Sequence, residues 1–168
     1  MNTINAGTTQ SINGYGCVKP DTDQQVFFYE QDFYVLSNFS AFSIVWEGVR
    51  HQTSEHLYHW LKFAGTDQEA AEMIFDAPSA HEAFKIAESQ KVFRRADWDE
   101  VKVSIMKQIL MAKVEQHEYV RRKLLATGDR ELIEDSWRDS FWGWGPDRKG
   151  QNRLGKLWME IRAEERAR

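Results

Sequence analysis

Glu55, His59 and Lys62 follow one another at intervals of four and three residues, in a stretch that carries helical signals. That interval puts a carboxylate, an imidazole and an amine on one face of a helix. Lining a cleft, such a row can move protons and hold an anion. On a solvated surface it is an ordinary i,i+4 contact, with Glu55 favoured in the first turn by the helix dipole. Spacing alone leaves both readings open. A second carboxylate matters for what Glu55 can do, because cleavage at an anomeric carbon commonly uses two. Asp139, three residues before Trp142, is the candidate, with Asp135 four residues ahead of it.

No metal site is expected. His51, His56 and His59 lie near one another, but neither the His-Glu-x-x-His spacing nor its inverted form is present. The single cysteine, Cys17, excludes an intrachain disulfide and a thiolate-built zinc site.

Residues 141–155, Phe-Trp-Gly-Trp-Gly-Pro-Asp-Arg-Lys-Gly-Gln-Asn-Arg-Leu-Gly, form the second chemically suggestive stretch. Its glycines allow a ligand close to the backbone. Lys149 and Arg153 place positive charge beside the start of the last helix, whose N–H groups are expected to face outward and to take an anion, phosphate being the natural one. It is neither a Walker loop nor a dinucleotide fingerprint. A tight turn with a salt-bridged rim is the plainer reading. Trp98 is a stacking residue or a staple for the helix it precedes, and the staple is favoured. Arg94 and Arg95 read as a solvated corner.

The elements that must position these residues are legible in part. Val26–Tyr29 looks like a strand; Phe42, Ile44 and Trp46 alternate, and Val49–His51 can return as a hairpin partner across Glu47-Gly48. A helix is expected from Ser54 to Ala64, stopped at Gly65. Capping-box spacings at Thr66–Glu69 and Ser79–Glu82 open two more, through Phe75 and over Ala83–Ala87. Asp97 is expected to cap the longest helix. A further helix spans Glu118 to Ala126, Leu132–Asp135 is a short strand, and the last helix runs from Leu154 to Glu165. About six helices and three or four strands, without regular alternation, favour α+β over a doubly wound sheet.

The chain has 168 residues, 42% hydrophobic and 29% charged, enough for one domain with its own core. Residues 1 to about 24 are polar and read as a loose tail, leaving 25–168 as the domain. The net charge of −4 argues against a dedicated nucleic-acid clamp. No apolar run is long enough to span a membrane and no targeting segment stands out, so no membrane partner and a cytoplasmic location are expected. Seven tryptophans suit either an aromatic-walled pocket or a tryptophan-rich core, the core being the plainer reading.

Several segments together resemble the NADAR family, which includes the YbiA-like N-glycosidases. They are Ser37-Asn38-Phe39, Thr53-Ser54-Glu55-His56 continuing to Lys62-Phe63, Asp97-Trp98-Asp99-Glu100-Val101-Lys102, Asp139 followed by Trp142-Gly143, and Gly150-Gln151-Asn152-Arg153-Leu154-Gly155. The likeness covers about residues 26–163. It implies a compact, mostly helical α+β domain with a small sheet, and hydrolysis of an N-glycosidic bond to a phosphorylated ribose. In YbiA-like members the substrates are ribosylamino-pyrimidine intermediates of riboflavin synthesis. Other members remove ADP-ribose from guanine, which makes ADP-ribosylated nucleic acid the alternative partner; a third reading is a module that binds ADP-ribose without cleaving it. The functional positions of the family match Glu55, Trp98 and Asp139, with Lys62, Asn38, Asn152 and Arg153 also matching. His59 and Leu61 stand where many relatives have glutamines, and Trp144 and Arg148 also depart from the family pattern.

The roles expected on this reading are acid/base work for Glu55, and for Asp139 a hold on the ribose hydroxyls or on the developing cation; the two could be reversed. Trp98 would stack on the base. Lys149 and Arg153 would bind phosphate, and Asn38 and Asn152 would orient the substrate, with Trp142 and Gly143 beside it. Lys62 offers a different mechanism, as a nucleophile that forms an imine with the opened sugar. No cofactor is expected.

Overall fold

The computed structural model describes residues 21–29 and 33–168. Four short strands and six helices are arranged as β1 (Gln25–Phe28), β2 (Ile44–Trp46), β3 (Val49–His51), α1 (Ser54–Trp60), α2 (Gln68–Phe75), α3 (Ala80–Ser89), α4 (Trp98–Gln116), α5 (Glu118–Ala126), β4 (Glu131–Glu134) and α6 (Arg153–Ala167). The expected α+β class holds, but the strands form two separate pairs rather than one sheet. β2 and β3 make the hairpin, Ile44 opposite His51. β1 runs parallel to β4, Gln25 opposite Glu131 and Phe28 opposite Glu134. A parallel pair needs a crossover, and here α1 to α5 all lie within it.

Most of the expected tail lies outside the described residues. Its end is tied down: the Asp21 carboxylate accepts the Phe27 N–H at 2.9 Å, and the Thr22 hydroxyl accepts that of Gln25 at 2.9 Å. Three helix boundaries differ from the sequence reading for local reasons. α1 stops at Trp60, and Lys62 lies in tight turns beyond it, its N–H bonded to the His59 carbonyl at 3.1 Å. α2 is capped by Asp67 rather than Thr66, because the Asp67 carboxylate reaches the Ala70 N–H. Asp97 precedes α4 without a side-chain cap, since Arg95 takes both its oxygens, at 2.6 and 2.8 Å.

The main core joins α4, α5 and α6 to β1, β4 and α1, through residues such as Trp158, Phe28, Leu57, Ile109 and Leu132. A smaller core of Phe63, Ile74 and five alanines packs α2 and α3 against the end of α1. Alanines let these short helices approach closely. Trp98 and Trp158 are fully buried, so the core reading holds for both.

Two buried anchors fix the segment that leads into the hairpin. The Trp158 indole donates to the Leu36 carbonyl at 2.8 Å. Lys113, wholly buried, donates to the Ser37 carbonyl at 2.9 Å and the Ser40 hydroxyl at 2.8 Å. Burial alone lowers the Lys113 ammonium to about 7. Between these anchors and α1 stands Asn38.

Candidate active site

α1 is buried on nearly every side, from Ser54 through His59. Its start is held twice: the Thr53 hydroxyl accepts the His56 N–H at 3.2 Å, and the Asn38 carbonyl accepts the Glu55 N–H at 3.1 Å. The face bearing Glu55, His59 and Lys62 is therefore not a solvated surface. All three side chains line a cavity of about 770 Å³, and Asn38, Met106, Glu134, Asp139 and Trp142 line it too. The solvated-face alternative is overturned, and two carboxylates 84 positions apart in the chain, Glu55 and Asp139, share one cavity.

The His59 Nε2–H donates to Glu55 Oε1 at 2.7 Å, leaving His59 Nδ1 buried without a partner among the described residues. Burial lowers the His59 pKa despite the neighbouring carboxylate, so the ring is neutral when it donates. Glu55 Oε2 takes no hydrogen bond from the described residues and remains for a ligand. Lys62 makes no ion pair with any described residue. Its ammonium lies 5.1 Å from the centre of the Tyr58 ring and 5.6 Å from that of Trp98. Burial brings its pKa down to about 8, against the pull of Glu55 and Glu88. Asn38 donates to the Met106 sulfur at 3.3 Å, while its Oδ1 is buried and has no partner among the described residues. The second carboxylate is half engaged: Asp139 Oδ1 accepts the N–H groups of Phe141 at 2.7 Å and Trp142 at 2.8 Å.

Other expected site residues do not reach the cavity wall. Trp98 is buried behind it, its ring 4.9 Å from that of Tyr58, so it backs the wall and has no open face for a base. Its position at the start of α4 fits the staple. Lys149 and Arg153 are exposed and outside the cavity; Arg153 bonds to Gln151 at 3.0 Å. The expected anion site at the start of α6 is not there, because the loop itself uses those N–H groups. Gly150, Gln151, Asn152, Arg153 and Leu154 donate in turn to the carbonyls of Trp144, Ser140, Gly143, Phe141 and Trp142. Asn152, in the left-handed region that Asn tolerates, clamps β4 instead of touching ligand: it donates to the Leu132 carbonyl at 2.9 Å and accepts the Glu134 N–H at 3.0 Å. Gly143 is a packing glycine. A Cβ there would stand 2.7 Å from the Glu134 carbonyl and 2.8 Å from the Ser136 Cβ.

Sequence reasoning missed Glu134, which it treated only as part of a strand. Its Oε2 is buried in the cavity wall with no hydrogen-bond partner among the described residues, and burial, Asp139 and Glu55 in that order push its pKa up to about 8. The signal was there: an acidic residue at the end of an apolar strand, in register with Phe28. Arg138, over the Trp137 ring at 4.0 Å, Glu88 and His81 of α3, and the phenols of Tyr29 and Tyr58 are the remaining charged or titratable groups on the wall that sequence did not single out. Among the described residues no cluster of three or more His, Cys, Asp or Glu side chains is placed to hold a metal ion, and no helix is long and apolar enough to cross a membrane.

The fold and this wall define a helix-rich α+β domain with an acid-lined, aromatic-walled cavity. The model of the NADAR domain matches residues 27–166. An N-glycosidase of Nostoc punctiforme is 38% identical, the alignment covering 83% of this chain and 91% of that protein. The N-glycosidase YbiA of Escherichia coli is 36% identical, covering 88% and 91%. A riboflavin biosynthesis protein of Vibrio vulnificus is 38% identical over 84% of this chain, which spans 39% of that protein's length. The NMR structure of E. coli YbiA superimposes with a TM-score of 0.78 at 35% identity, covering 89% of each chain. The chain belongs to the NADAR domain family.

Proposed function

We propose that the protein hydrolyses the C1–N bond of a phosphorylated ribosylamine of the riboflavin-intermediate type. On this reading it is a hydrolase of N-glycosyl compounds, as its full-length relatives in Nostoc and E. coli are named. The observation that carries the reading is the shared cavity: Glu55, Asp139 and Asn38 present oxygens with no partner among the described residues beside a buried amine. Rupture of a ribose C1–N bond builds positive charge on the sugar ring. A carboxylate beside that charge stabilises it, and a second group handles the proton of water or of the leaving nitrogen.

Asp139 holds the ribose hydroxyls or the cation with the oxygen not engaged by the loop, and Glu55 activates water. Neutral His59 fixes the Glu55 carboxylate through Oε1 and leaves Oε2 for the water. Asn38 Oδ1 takes a hydrogen bond from the ligand. The phosphate falls to Arg138 at the cavity wall rather than to Lys149 and Arg153, which stand outside it. Lys62, with its lowered pKa, is the competing nucleophile; a protein–sugar adduct trapped by borohydride during turnover would assign it that role, and no adduct would remove it.

The test is to incubate the protein separately with ribosylamino-pyrimidine phosphate, an ADP-ribosylated guanine oligonucleotide and NAD, and to measure the released base by mass. Release from the first alone is expected. Release from the oligonucleotide alone would move the protein to the nucleic-acid reading. Binding without release from any would make it a binding module.

A further inference from the structure

We propose that Glu134 is a third working carboxyl of the cavity: it enters the reaction protonated and gives its proton to the leaving nitrogen. This rests on the N-glycosidase reading above and deepens it by dividing the labour among three acids.

The division follows from what surrounds each oxygen. Glu55 receives an N–H from His59, and Asp139 receives two from the backbone. Those are the donors that an ionised carboxylate takes. Glu134 Oε2 receives none among the described residues, although it is buried in the same wall. A bare, buried carboxylate oxygen beside two other acids is unfavourable; a carboxylic acid there supplies its own donor. No ion pair with a described residue relieves it, for Lys62 and Arg138, the cations of the wall, both stay beyond reach. The upward displacement of its pKa, by burial first and then by Asp139 and Glu55, has the same direction. A carboxyl whose surroundings disfavour its charge, set beside others that receive N–H donors, is the pattern of an acid and a base sharing one site.

The backbone is built to hold this side chain still. Asn152 accepts the Glu134 N–H, the Glu134 carbonyl accepts the Trp144 N–H at 3.0 Å, and the absence of a Cβ at Gly143 lets the loop close against that same carbonyl. The motif read from sequence as a phosphate loop therefore fixes an acid.

The C1–N bond breaks and its electron pair goes to nitrogen, which takes the Glu134 proton. A water oxygen bonds to C1 and gives its proton to Glu55. Transfer of that proton to Glu134 through solvent restores both groups, and the net change is addition of water across the C1–N bond.

The experiment compares Glu134→Gln with wild type on two substrates that differ in their need for an acid: ribosylamino-pyrimidine phosphate, whose amine is a poor leaving group, and a nitrophenyl riboside phosphate, whose phenolate leaves unaided. A loss of ~10²–10⁴-fold on the first, with less than about tenfold on the second, is expected. Glu55→Gln should lose on both. Equal losses for Glu134→Gln on the two substrates, or no loss on the first, would overturn the role. A second measurement does not depend on turnover. The infrared difference spectrum of wild type minus Glu134→Gln at neutral pH should contain a carboxylic-acid C=O band, and a carboxylate band in its place would overturn the proposal. A wild-type protein that shows the acid band but cleaves neither substrate would overturn the glycosidase reading itself, and with it the catalytic role of this acid.

Discussion

α1 with the turn after it and the stretch 141–155 were both suggestive as strings of residues, yet the fold treats them in opposite ways. On α1 and in the turn after it, Glu55, His59 and Lys62 are buried with polar atoms that no described residue pairs: Glu55 Oε2, His59 Nδ1 and the Lys62 amine. In the loop, the five N–H groups from Gly150 to Leu154 and both amide atoms of Asn152 are consumed by the protein's own carbonyls and strand. Burial of polar groups is unfavourable unless they are paired. A segment that pairs all of its groups is scaffold; one that leaves several unpaired around a cavity is kept so for something else to pair with. Composition and glycine content marked the loop, but hydrogen-bond satisfaction is what separates the two.

The sharpest way to break that distinction is to remove the leftover oxygen of α1. Glu55→Gln keeps the volume and should lower the rate of base release by ~10²–10⁴-fold with the thermal midpoint little changed. A loss below tenfold in a folded variant would strip α1 of its chemical role. The loop should answer in the other currency. Asn152→Ala leaves the Leu132 carbonyl and the Glu134 N–H without partners, which costs about 2–4 kcal/mol for two buried groups. At this chain length that is a fall in melting temperature of roughly 5–15 °C, readable by calorimetry. An unchanged midpoint would show that the clamp is dispensable.

What the sequence could and could not tell follows the same line. Patterns set by nearest neighbours were legible: the hairpin across Glu47-Gly48, the Ser79 cap of α3, the span of α5 and the row on α1. Expectations failed where another group, two residues away or a dozen, took the same atoms. Asp97 lost its cap to Arg95, two residues before it, and the start of α6 lost its anion site to carbonyls 6 to 12 residues away. Glu134 went unnoticed because its meaning depends on Asp139 and Glu55 arriving beside it, which no local period records. Trp98 shows the reverse: the plain reading, a packed staple, describes its place better than the stacking role.

The comparison also ranks the cations. Arg138 lines the cavity, whereas Lys149 is exposed beyond it. Loss of a charge-assisted contact is worth about 1.5–3 kcal/mol. Arg138→Ala should therefore raise KM for the phosphorylated substrate by roughly tenfold or more, and Lys149→Ala by less than about twofold. Steady-state kinetics on the two variants in parallel decides it; the reverse order would return the phosphate to the loop.

The smallest expected effect tests the junction between the two segments, where the loop's clamp holds an acid in the cavity wall. Glu134 has a folded pKa near 8 against an ordinary 4.5. Between those values the native protein keeps a proton that the unfolded chain releases. Stability therefore falls as pH rises through that window, and the full cost remains above it. Glutamine has no proton to lose, so Glu134→Gln escapes the fall. Lys62 titrates with the opposite sign: its pKa is lowered to about 8, and stability rises with pH above that value. That change is common to both proteins and cancels in their difference. Each tenfold in a proton affinity is worth about 1.4 kcal/mol, and one such step corresponds to roughly 3–5 °C in a domain of this size. Melting curves of the two proteins should thus lie close together at pH 5 and separate by at least that much by pH 8.5, with the variant the more stable. A separation that does not grow with pH would mean that Glu134 is ionised in the native protein across the whole range, and that the clamp positions a carboxylate rather than an acid.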